Sequence, residues 1–485
     1  MLKIKILAKE KPTYEELVNF VSQLQKRVEL LEKEFLQLKK ENIELSKKNI
    51  KLSKENIELK ERLSKYENPK NSRNSSVPPS KDENRPFKTK SLREQTGKKP
   101  GGQKGHEGKT LGMVNEPDHI EDHIPEYCQC CGEDISNLPY EFVEKRQVID
   151  IPEIKPKVTE HRIYKKTCNC GHTTESSFPH EVNASVSYGS NIESLIGYFH
   201  TRQYVPFKRM QEIFCDIFQL TVSEGGIHYL LNKLVEKAYP AYKMIKSKLQ
   251  KSKAKFIGTD ETGTKMNGEN QWVWTWQNDE ATFITFSDNR GEKTITDTFK
   301  DGFPGSVLVH DCWKSHFNTP ALSHQLCMAH LLRELQYFEE RYDHKWSRVF
   351  KLLLILAIHL KNRLTLNDYY YYNTHRNLLE KRLDRLLDYN IDPTYKELIS
   401  FQKRMKKYRD YIFTFLYHPK VPPDNNGSER AIRNIKVKQK ISGQFKSPTG
   451  AFNFAVLRSI TDTALKNGQN ILKALKIIAN WQGTD

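Results

Sequence analysis

The 485-residue chain has few cysteines, no long apolar run and a deficit of acidic residues, and each shortage excludes a class of protein. The longest uninterrupted apolar run, residues 352–358, is far shorter than the ~20 residues that a membrane-spanning helix needs. The first residues lack the apolar core and the small-residue cleavage site of a signal peptide. We therefore expect a cytoplasmic protein with no membrane partner.

The acid deficit points to a polyanionic partner. The chain has 78 Lys and Arg against 60 Asp and Glu, so its formal net charge is 78 − 60 = +18. Such a charge favours nucleic acid as the partner, with an anionic membrane surface as the weaker alternative. The length predicts about two to four domains.

The eight cysteines are too sparse for a disulfide framework, and five of them lie between Cys128 and Cys170. In residues 111–180, a C-x-x-C pair and a C-x-C pair are each followed by glycine, the knuckle that directs two thiolates at one zinc ion. We predict a small zinc ribbon with the Zn²⁺ ligands Cys128, Cys131, Cys168 and Cys170.

The irregular second knuckle leaves that ligand set open. Cys130 and His172 are the substitutes if the knuckle rearranges, and reduced cysteines without metal are the alternative. Between the knuckles, residues 146–164 alternate in the manner of two strands around a proline-bounded turn.

Residues 14–66 show the clearest periodicity in the chain. Leucine occupies nearly every d position of eight heptads, and asparagine occupies three successive a positions, Asn42, Asn49 and Asn56. This pattern predicts an N-terminal leucine-zipper coiled coil, ~80 Å long, that forms a parallel homodimer. An amphipathic helix packed on its own domain is the alternative, although its apolar face would drift off a strict 3.5-residue repeat.

Residues 67–110 are rich in serine, proline, glycine and asparagine and have almost no large apolar side chains, so we predict a flexible basic linker. Its Lys98, Lys99 and Lys104 are candidate contacts to a DNA backbone, and a purely solvated linker is the alternative. Residues 185–250 are predicted to be helical and DNA-binding, with a possible helix-turn-helix. A plain helical hairpin fits them equally well, and Lys233 and Lys237 add weak support for DNA contact.

From residue 256 the pattern is α/β. Apolar runs predict strands ending at Asp260, over 272–276, over 282–286 and ending at Asp311, with helices over 294–299 and 326–338. Three consecutive antiparallel strands, a helix and a fourth strand are typical of a ribonuclease H-like core. We assign that core to residues 251–338 and 419–450, interrupted by a helical insertion at 339–418 and followed by a helical segment at 451–485.

Three acids look able to meet in this core. Asp260 and Asp311 each leave the end of a strand, and Glu429 lies in the first turn of a later helix that starts at Asn426. Such carboxylates suit a pair of Mg²⁺ ions acting on a phosphodiester. The alternatives are two strand-end turns and a helix capping box.

The helix that carries Glu429 also carries cations at helical spacing. Arg433, Lys436 and Lys440 follow the glutamate at i+4, i+7 and i+11, so one acid and three cations share a face. Cations beside a metal-binding acid would hold phosphates, whereas the alternative is a solvated charged face.

The order of several motifs resembles the transposases of the insertion-sequence 66 family, which are DDE enzymes, over almost the whole chain. After the zipper come NSSVPPSKD, KKPGGQKGHEGK, the knuckle pair, YGSNIESLIGYFH, TDETG, HDCW, CMAHLLREL and DNNGSERAIRNIKVKQK. The resemblance implies Asp260, Asp311 and Glu429 as the catalytic, metal-binding triad. It also draws attention to Cys327 and His330 in the C-x-x-H helix, and to Asn425, Asn426, Arg430 and Arg433 around the glutamate. The C-x-C knuckle departs from the family pattern.

The resemblance implies a reaction as well. Two Mg²⁺ or Mn²⁺ ions would activate water to cut at a transposon end, and the released 3′-hydroxyl would attack target DNA. Double-stranded DNA and a second copy of the chain would be the partners, with accessory proteins of the same element as further candidates and a nucleoid-associated location. The alternative is a dimeric, zinc-containing DNA-binding protein that does not cut, such as an inactive transposase relative or regulator.

Overall fold

A computed structural model describes residues 13–67, 69–71, 74–75, 82–83, 111–179, 181–251 and 256–481. Lys98, Lys99 and Lys104 lie outside these described residues. The chain divides into two compact units. The first contains the described residues of Met1–Pro86, Ser190–Tyr204 and Leu230–Asp485, and the second contains those of Phe87–Gly189 and Val205–Tyr229.

The described residues form helices and strands along both units. The helices are α1 Tyr14–Glu67, α2 Ser190–Thr201, α3 Phe207–Phe218, α4 Glu224–Lys251, α5 Glu292–Thr298, α6 Lys314–Phe317, α7 Met328–Tyr342, α8 Lys345–Lys361, α9 Leu366–Tyr370, α10 Thr374–Leu387, α11 Lys396–Lys407, α12 Asn426–Ser442, α13 Pro448–Lys466 and α14 Ile471–Ala479. The strands are β1 Lys165–Thr167, β2 Thr173–Glu175, β3 Phe256–Met266, β4 Glu269–Gln277, β5 Thr282–Ser287, β6 Phe303–His310 and β7 Ala321–Leu326. No helix in this described part is long and apolar enough to cross a bilayer.

Helix α1 confirms the predicted long N-terminal helix. Its first turn is closed by Thr13 and Glu16, because the Thr13 amide donates to Glu16 Oε2 over 2.9 Å and the Glu16 amide donates back to Thr13 Oγ1. The leucines at the d positions remain about half exposed, as Leu31 at 52% and Leu45 at 58% show. The apolar stripe is therefore available to a partner helix.

Residues 111–179 of the second unit have little regular structure. β1 pairs antiparallel with β2 around the second cysteine knuckle, and Tyr127 bridges Asp134 at the first. The prediction of two strands within residues 146–164 is wrong, since these described residues form no strand. Val148 and Val158 are 96% and 88% exposed, so the apolar alternation there does not reflect burial against a sheet.

The first unit is organised around a five-stranded sheet with the order β5-β4-β3-β6-β7. β3, β4 and β5 are antiparallel neighbours, whereas β6 runs parallel to β3 and β7 parallel to β6. Strand β7 was not predicted, because its residues Ser323, His324 and Gln325 are polar. They are accommodated by specific bonds: Gln325 Nε2 donates to the Ile412 carbonyl, and Gln325 Oε1 accepts from the Phe415 amide.

The residues predicted as a helical insertion pack onto the same core as the sheet. Side chains of β6, β7 and α7 share one apolar cluster with side chains of α8, α10 and α11, including Val307, Leu331, Phe350, Leu383 and Phe401. The insertion predicted as helical is not helical throughout, since α11 ends at Lys407 and two 3₁₀ turns follow, Arg409–Tyr411 and Thr414–Leu416. The insertion is therefore continuous with the sheet's core.

The C-terminal helices close the outer edge of the sheet. Ser459 Oγ of α13 accepts the Ile284 amide of β5 over 2.9 Å, and Thr463 Oγ1 accepts the Thr282 amide over 3.1 Å. These bonds satisfy backbone donors that an edge strand would otherwise expose. The segment predicted as one helical region, 185–250, is divided between the units, with α2 in the first and α3 in the second.

Candidate active site

Two of the three predicted acids belong to neighbouring parallel strands. Gly258 of β3 lies opposite Val309 of β6, two residues before Asp260 and two before Asp311. Asp311 directly follows β6, as predicted. The prediction that a strand ends at Asp260 is wrong, because β3 continues to Met266 through its pairing with β4. The parallel pairing of β3 with β6 brings the two acids near enough for the charge of Asp311 to act on Asp260.

Helix α12 is bound to β3 at its N-terminus. Asn425 Nδ2 donates to the Thr259 carbonyl over 2.6 Å, and Asn425 Oδ1 accepts from Ser428 Oγ over 2.7 Å. Gly258 permits this approach, because a Cβ there would lie 2.7 Å from Asn425 Oδ1 and 2.8 Å from Ser428 Oγ. Glu429, one residue after Ser428, is thereby carried toward Asp260, and its charge acts on that residue.

The acids interact electrostatically. Burial raises the pKa of Asp260 well above its usual range, and the charges of Glu261, Asp311 and Glu429 raise that pKa further. The three predicted acids therefore share one electrostatic site. Crowded carboxylates of this kind are stabilised when a cation binds between them.

A fourth acid, Glu261, was missed by the sequence analysis. It is buried, and both of its carboxylate oxygens are paired, Oε1 with Arg290 Nε over 2.9 Å and Oε2 with His316 Nε2 over 3.1 Å. These partners lower the pKa of Glu261 despite its burial. Asp311 Oδ1 lies 3.8 Å from the same His316 nitrogen, so His316 connects Glu261 to one of the predicted metal ligands.

The Glu261 network has an aromatic clamp. The Arg290 guanidinium lies over the rings of Trp313 and Trp272, with its central carbon 4.0 and 4.8 Å from the ring centroids. Trp313 directly follows the Asp311-Cys312 pair in the chain. Glu261 lies far from Arg290 and His316 in the sequence, so no periodic pattern predicts these ion pairs. The sequence showed only that Glu261 directly follows Asp260.

Glu429 has basic neighbours on α7. Arg333 Nη2 lies 3.0 Å from Glu429 Oε1, and His330 Nδ1 lies 3.9 Å from the same oxygen. Cys327, at the start of α7, accepts the Asn425 amide on its sulfur over 3.2 Å. The starts of α7 and α12 are therefore joined by a bond between Cys327, the first residue of the C-x-x-H segment, and Asn425, which precedes the glutamate.

The predicted DNA-contacting cations differ in their surroundings. Arg430, Arg433 and Lys440 are exposed and have no ion-pair partner among the described residues. Lys436 instead donates to the Gly263 carbonyl of β3. Lys233 and Lys237 both pair with the buried Glu193, over 2.7 and 2.9 Å, so these two lysines have a structural role in the first unit.

The ribbon cysteines lie in two local pairs. Hydrogen bonds from the Cys131 and Cys130 amides and from the Cys131 side chain lower the pKa of Cys128, and bonds from Cys170 lower that of Cys168. Gly132 and Gly171 have the positive φ values, 77° and 84°, that both knuckles require. Within the described residues, three metal-type donors converge at one place only, and that group is Cys327, His330 and Glu429.

Comparisons with known families cover most of this architecture. Residues 185–453, more than half of the chain, match the Transposase IS66 family. Residues 125–171 match the zinc-finger binding domain of transposase IS66, which supports Zn²⁺ in the second unit. Residues 13–111 match a family of unknown function.

No curated protein matches the chain. The match over the larger part of the sequence supports a transposase role and, through the family, a divalent metal. The chain belongs to the IS66 family of transposases.

Proposed function

We propose that this transposase cuts DNA at the ends of its element and joins the released 3′-hydroxyl to target DNA, with Asp260, Asp311 and Glu429 as the metal-binding acids. The observation that carries the proposal is the approach of Asp260 in β3, Asp311 after β6 and the first turn of α12, whose charges act on one another. The strand order and the return of α12 to β3 support a ribonuclease H-like core.

The donor set fits Mg²⁺ or Mn²⁺. Carboxylate oxygens are the ligands that these hard cations take. Burial and then the neighbouring acids raise the pKa of Asp260, and a bound cation would compensate the negative charge of those acids. When bound, two such ions would act as Lewis acids toward the scissile phosphate and lower the pKa of a water molecule. Asp260 and Asp311 would hold them from the sheet, and Glu429 from the helix.

Other residues would position DNA and the acids. The exposed Arg430 and Arg433 extend from the helix that bears Glu429, so they would neutralise phosphates next to the cut. Arg290 and His316 would hold Glu261 ionised, and His316 would orient Asp311. The zinc-containing second unit would contact the terminal repeats, and paired α1 helices would bring two ends together.

The test is a Mg²⁺-dependent nicking assay on DNA that carries the element's ends. Asp260→Asn should lower the nicking rate by about 10³-fold or more, while DNA binding stays within about twofold of the parent. Asn keeps the shape of the side chain and removes the charge that a cation needs. Binding by both proteins with nicking by neither would leave a DNA-binding protein without catalysis.

The dimer has a separate test. Leu31→Asp combined with Leu45→Asp places charges in the proposed zipper seam, so the protein should sediment as a monomer at micromolar concentration. Glu34→Asp combined with Glu41→Asp, on the same exposed helix but off the a and d positions, should leave the sedimentation unchanged. A parent that sediments as a monomer would contradict the zipper.

A further inference from the structure

Three metal-type donors of different chemistry meet where α7 and α12 begin. Cys327 Sγ, a ring nitrogen of His330 and a carboxylate oxygen of Glu429 all lie within 4.8 Å of one another. Cys327 is 1% exposed, whereas His330 and Glu429 are partly exposed. The thiol therefore forms the buried end of the group, and the other two donors lie between it and solvent.

The spacing of the donors is close to that of a zinc site. Ligands at zinc distances of 2.0–2.3 Å in a tetrahedron lie about 3.3–3.8 Å apart. His330 Nδ1 and Glu429 Oε1 are already 3.9 Å apart. Drawing the sulfur into the same arrangement needs shifts of about 1 Å, which side-chain torsions can supply. The backbones of α7 and α12 can keep their positions.

The ring nitrogen Nδ1 of His330 gives a second, independent indication of a ligand. This nitrogen is buried and has no hydrogen-bond partner among the residues described. A buried polar atom without a hydrogen-bond partner is destabilising, so such atoms are rare without a role. A metal ion at the centre of the group would satisfy this nitrogen. The Asn425 amide already donates to Cys327 Sγ, as outer hydrogen bonds to metal-bound thiolates do.

We propose that Cys327, His330 and Glu429 bind a zinc-type divalent cation, at a site separate from the ribbon cysteines. A sulfur, an imidazole nitrogen and one carboxylate oxygen suit Zn²⁺ and related transition metals, whereas Mg²⁺ takes oxygen ligands. On binding, the S–H proton passes to water and the thiolate becomes the ligand. Three protein ligands leave a fourth position of the ion for water or a DNA oxygen.

The proposed zinc site does not depend on the proposed nuclease function, but the zinc site and the catalytic metal site would both use Glu429. An ion held by Cys327 and His330 draws the Glu429 carboxylate toward α7, the side on which Arg333 already contacts Oε1. Zinc at this site would therefore compete with the divalent ion that Asp260 and Asp311 hold. Added Zn²⁺ should lower Mg²⁺-dependent nicking in the parent and less so in Cys327→Ser.

Metal content of the full chain tests the site directly. Purified protein is stripped with a chelator, reloaded with Zn²⁺ or with Co²⁺ alone, and assayed for bound metal and for the thiolate-to-cobalt absorption band. The parent should bind one equivalent more than Cys327→Ser and one more than His330→Gln. Serine keeps an acceptor for the Asn425 amide, so the loss reports on ligation and not on the helix start.

Matched variants separate the alternatives. Cys312→Ser, which changes a partly buried thiol of the first unit, should keep the parent's metal content. Asp260→Asn should also keep it while losing nicking, which distinguishes this site from the proposed catalytic one. Equal metal content in the parent, Cys327→Ser and His330→Gln would overturn the proposal. If Cys327→Ser fails to fold, His330→Gln alone decides, with circular dichroism as the check on folding.

Discussion

The sheet of the first unit and the cysteine knuckles of the second unit are ordered by different forces. Val307, Leu308 and Val309, which lead to Asp311, are at most 1% exposed. In the second unit, by contrast, Val143 and Val148 are more than 90% exposed, and the two strands have three residues each. Buried apolar side chains stabilise the strands that position the proposed catalytic acids. The zinc-finger region, by contrast, has too small an apolar core to fold by burial alone.

Metal and fold are related differently in these two regions. In the first unit, the packing of β3, β6 and α12 positions the acids, and burial together with the neighbouring acids raises the pKa of Asp260. In residues 111–179 we expect metal binding and folding to be one process, since structural zinc supplies folding free energy.

Loss of zinc from the second unit should have the largest effect. Cys128→Ser combined with Cys131→Ser removes a contribution that is about 10–16 kcal/mol in small zinc fingers, so residues 111–179 should unfold. Limited proteolysis should then cut within this segment, while the thermal transition of the first unit stays within about 1 °C of the parent. Cys215→Ser, an exposed cysteine of the same unit, is the control. Cutting that is no faster than in the parent would show that the segment folds without metal.

A smaller effect is expected where α12 meets β3. Gly258→Ala places a Cβ 2.6–2.8 Å from the ends of Gln277, Asn425 and Ser428, so it should destabilise the first unit by about 1–3 kcal/mol and weaken nicking. Gly263→Ala on the same strand is the matched control, because its Cβ would meet only Trp272 at 3.9 Å. Chemical denaturation measures both variants, and equal stabilities would mean that the helix does not need this close approach.

The pH dependence of stability should show the smallest effect. Because the pKa of Asp260 is raised by folding, the folded state binds its proton more tightly than the unfolded state. Stability therefore falls as pH rises from the unfolded pKa, near ~3.9, through the folded pKa. Without divalent ions at pH 7, Asp260→Asn should melt at a higher temperature than the parent, and the difference should shrink as pH is lowered.

The control for this pH effect is Asp288→Asn, which changes an exposed aspartate after β5 and should shift stability by less than about 0.5 kcal/mol. Added Mg²⁺ should raise the melting temperature of the parent more than that of Asp260→Asn. A variant that melts below the parent at pH 7 without metal would contradict the electrostatic strain at the sheet edge.

The sequence alone determined the elements whose signals are local. Heptads predicted a helix over 14–66, and α1 spans Tyr14–Glu67. An apolar run correctly placed Asp311 directly after a strand, and the helix that bears Glu429 starts at Asn426 as predicted. The strand predicted to end at Asp260 instead continues to Met266, because it keeps pairing with β4. The confirmed predictions rest on periodicity and helix starts, which depend on residues close together in the chain.

Only the tertiary structure decided which distant residues meet. The polar strand β7 forms because its side chains find partners on a 3₁₀ turn about 90 residues later. Glu261 is joined to Arg290 and His316, and Cys327 lies against Glu429, through contacts between segments whose spacing carries no pattern. The geometry of the site depends on the pairing of parallel strands and on the close approach of a helix at a glycine. Both arise only when the chain packs, so composition and periodicity do not predict them.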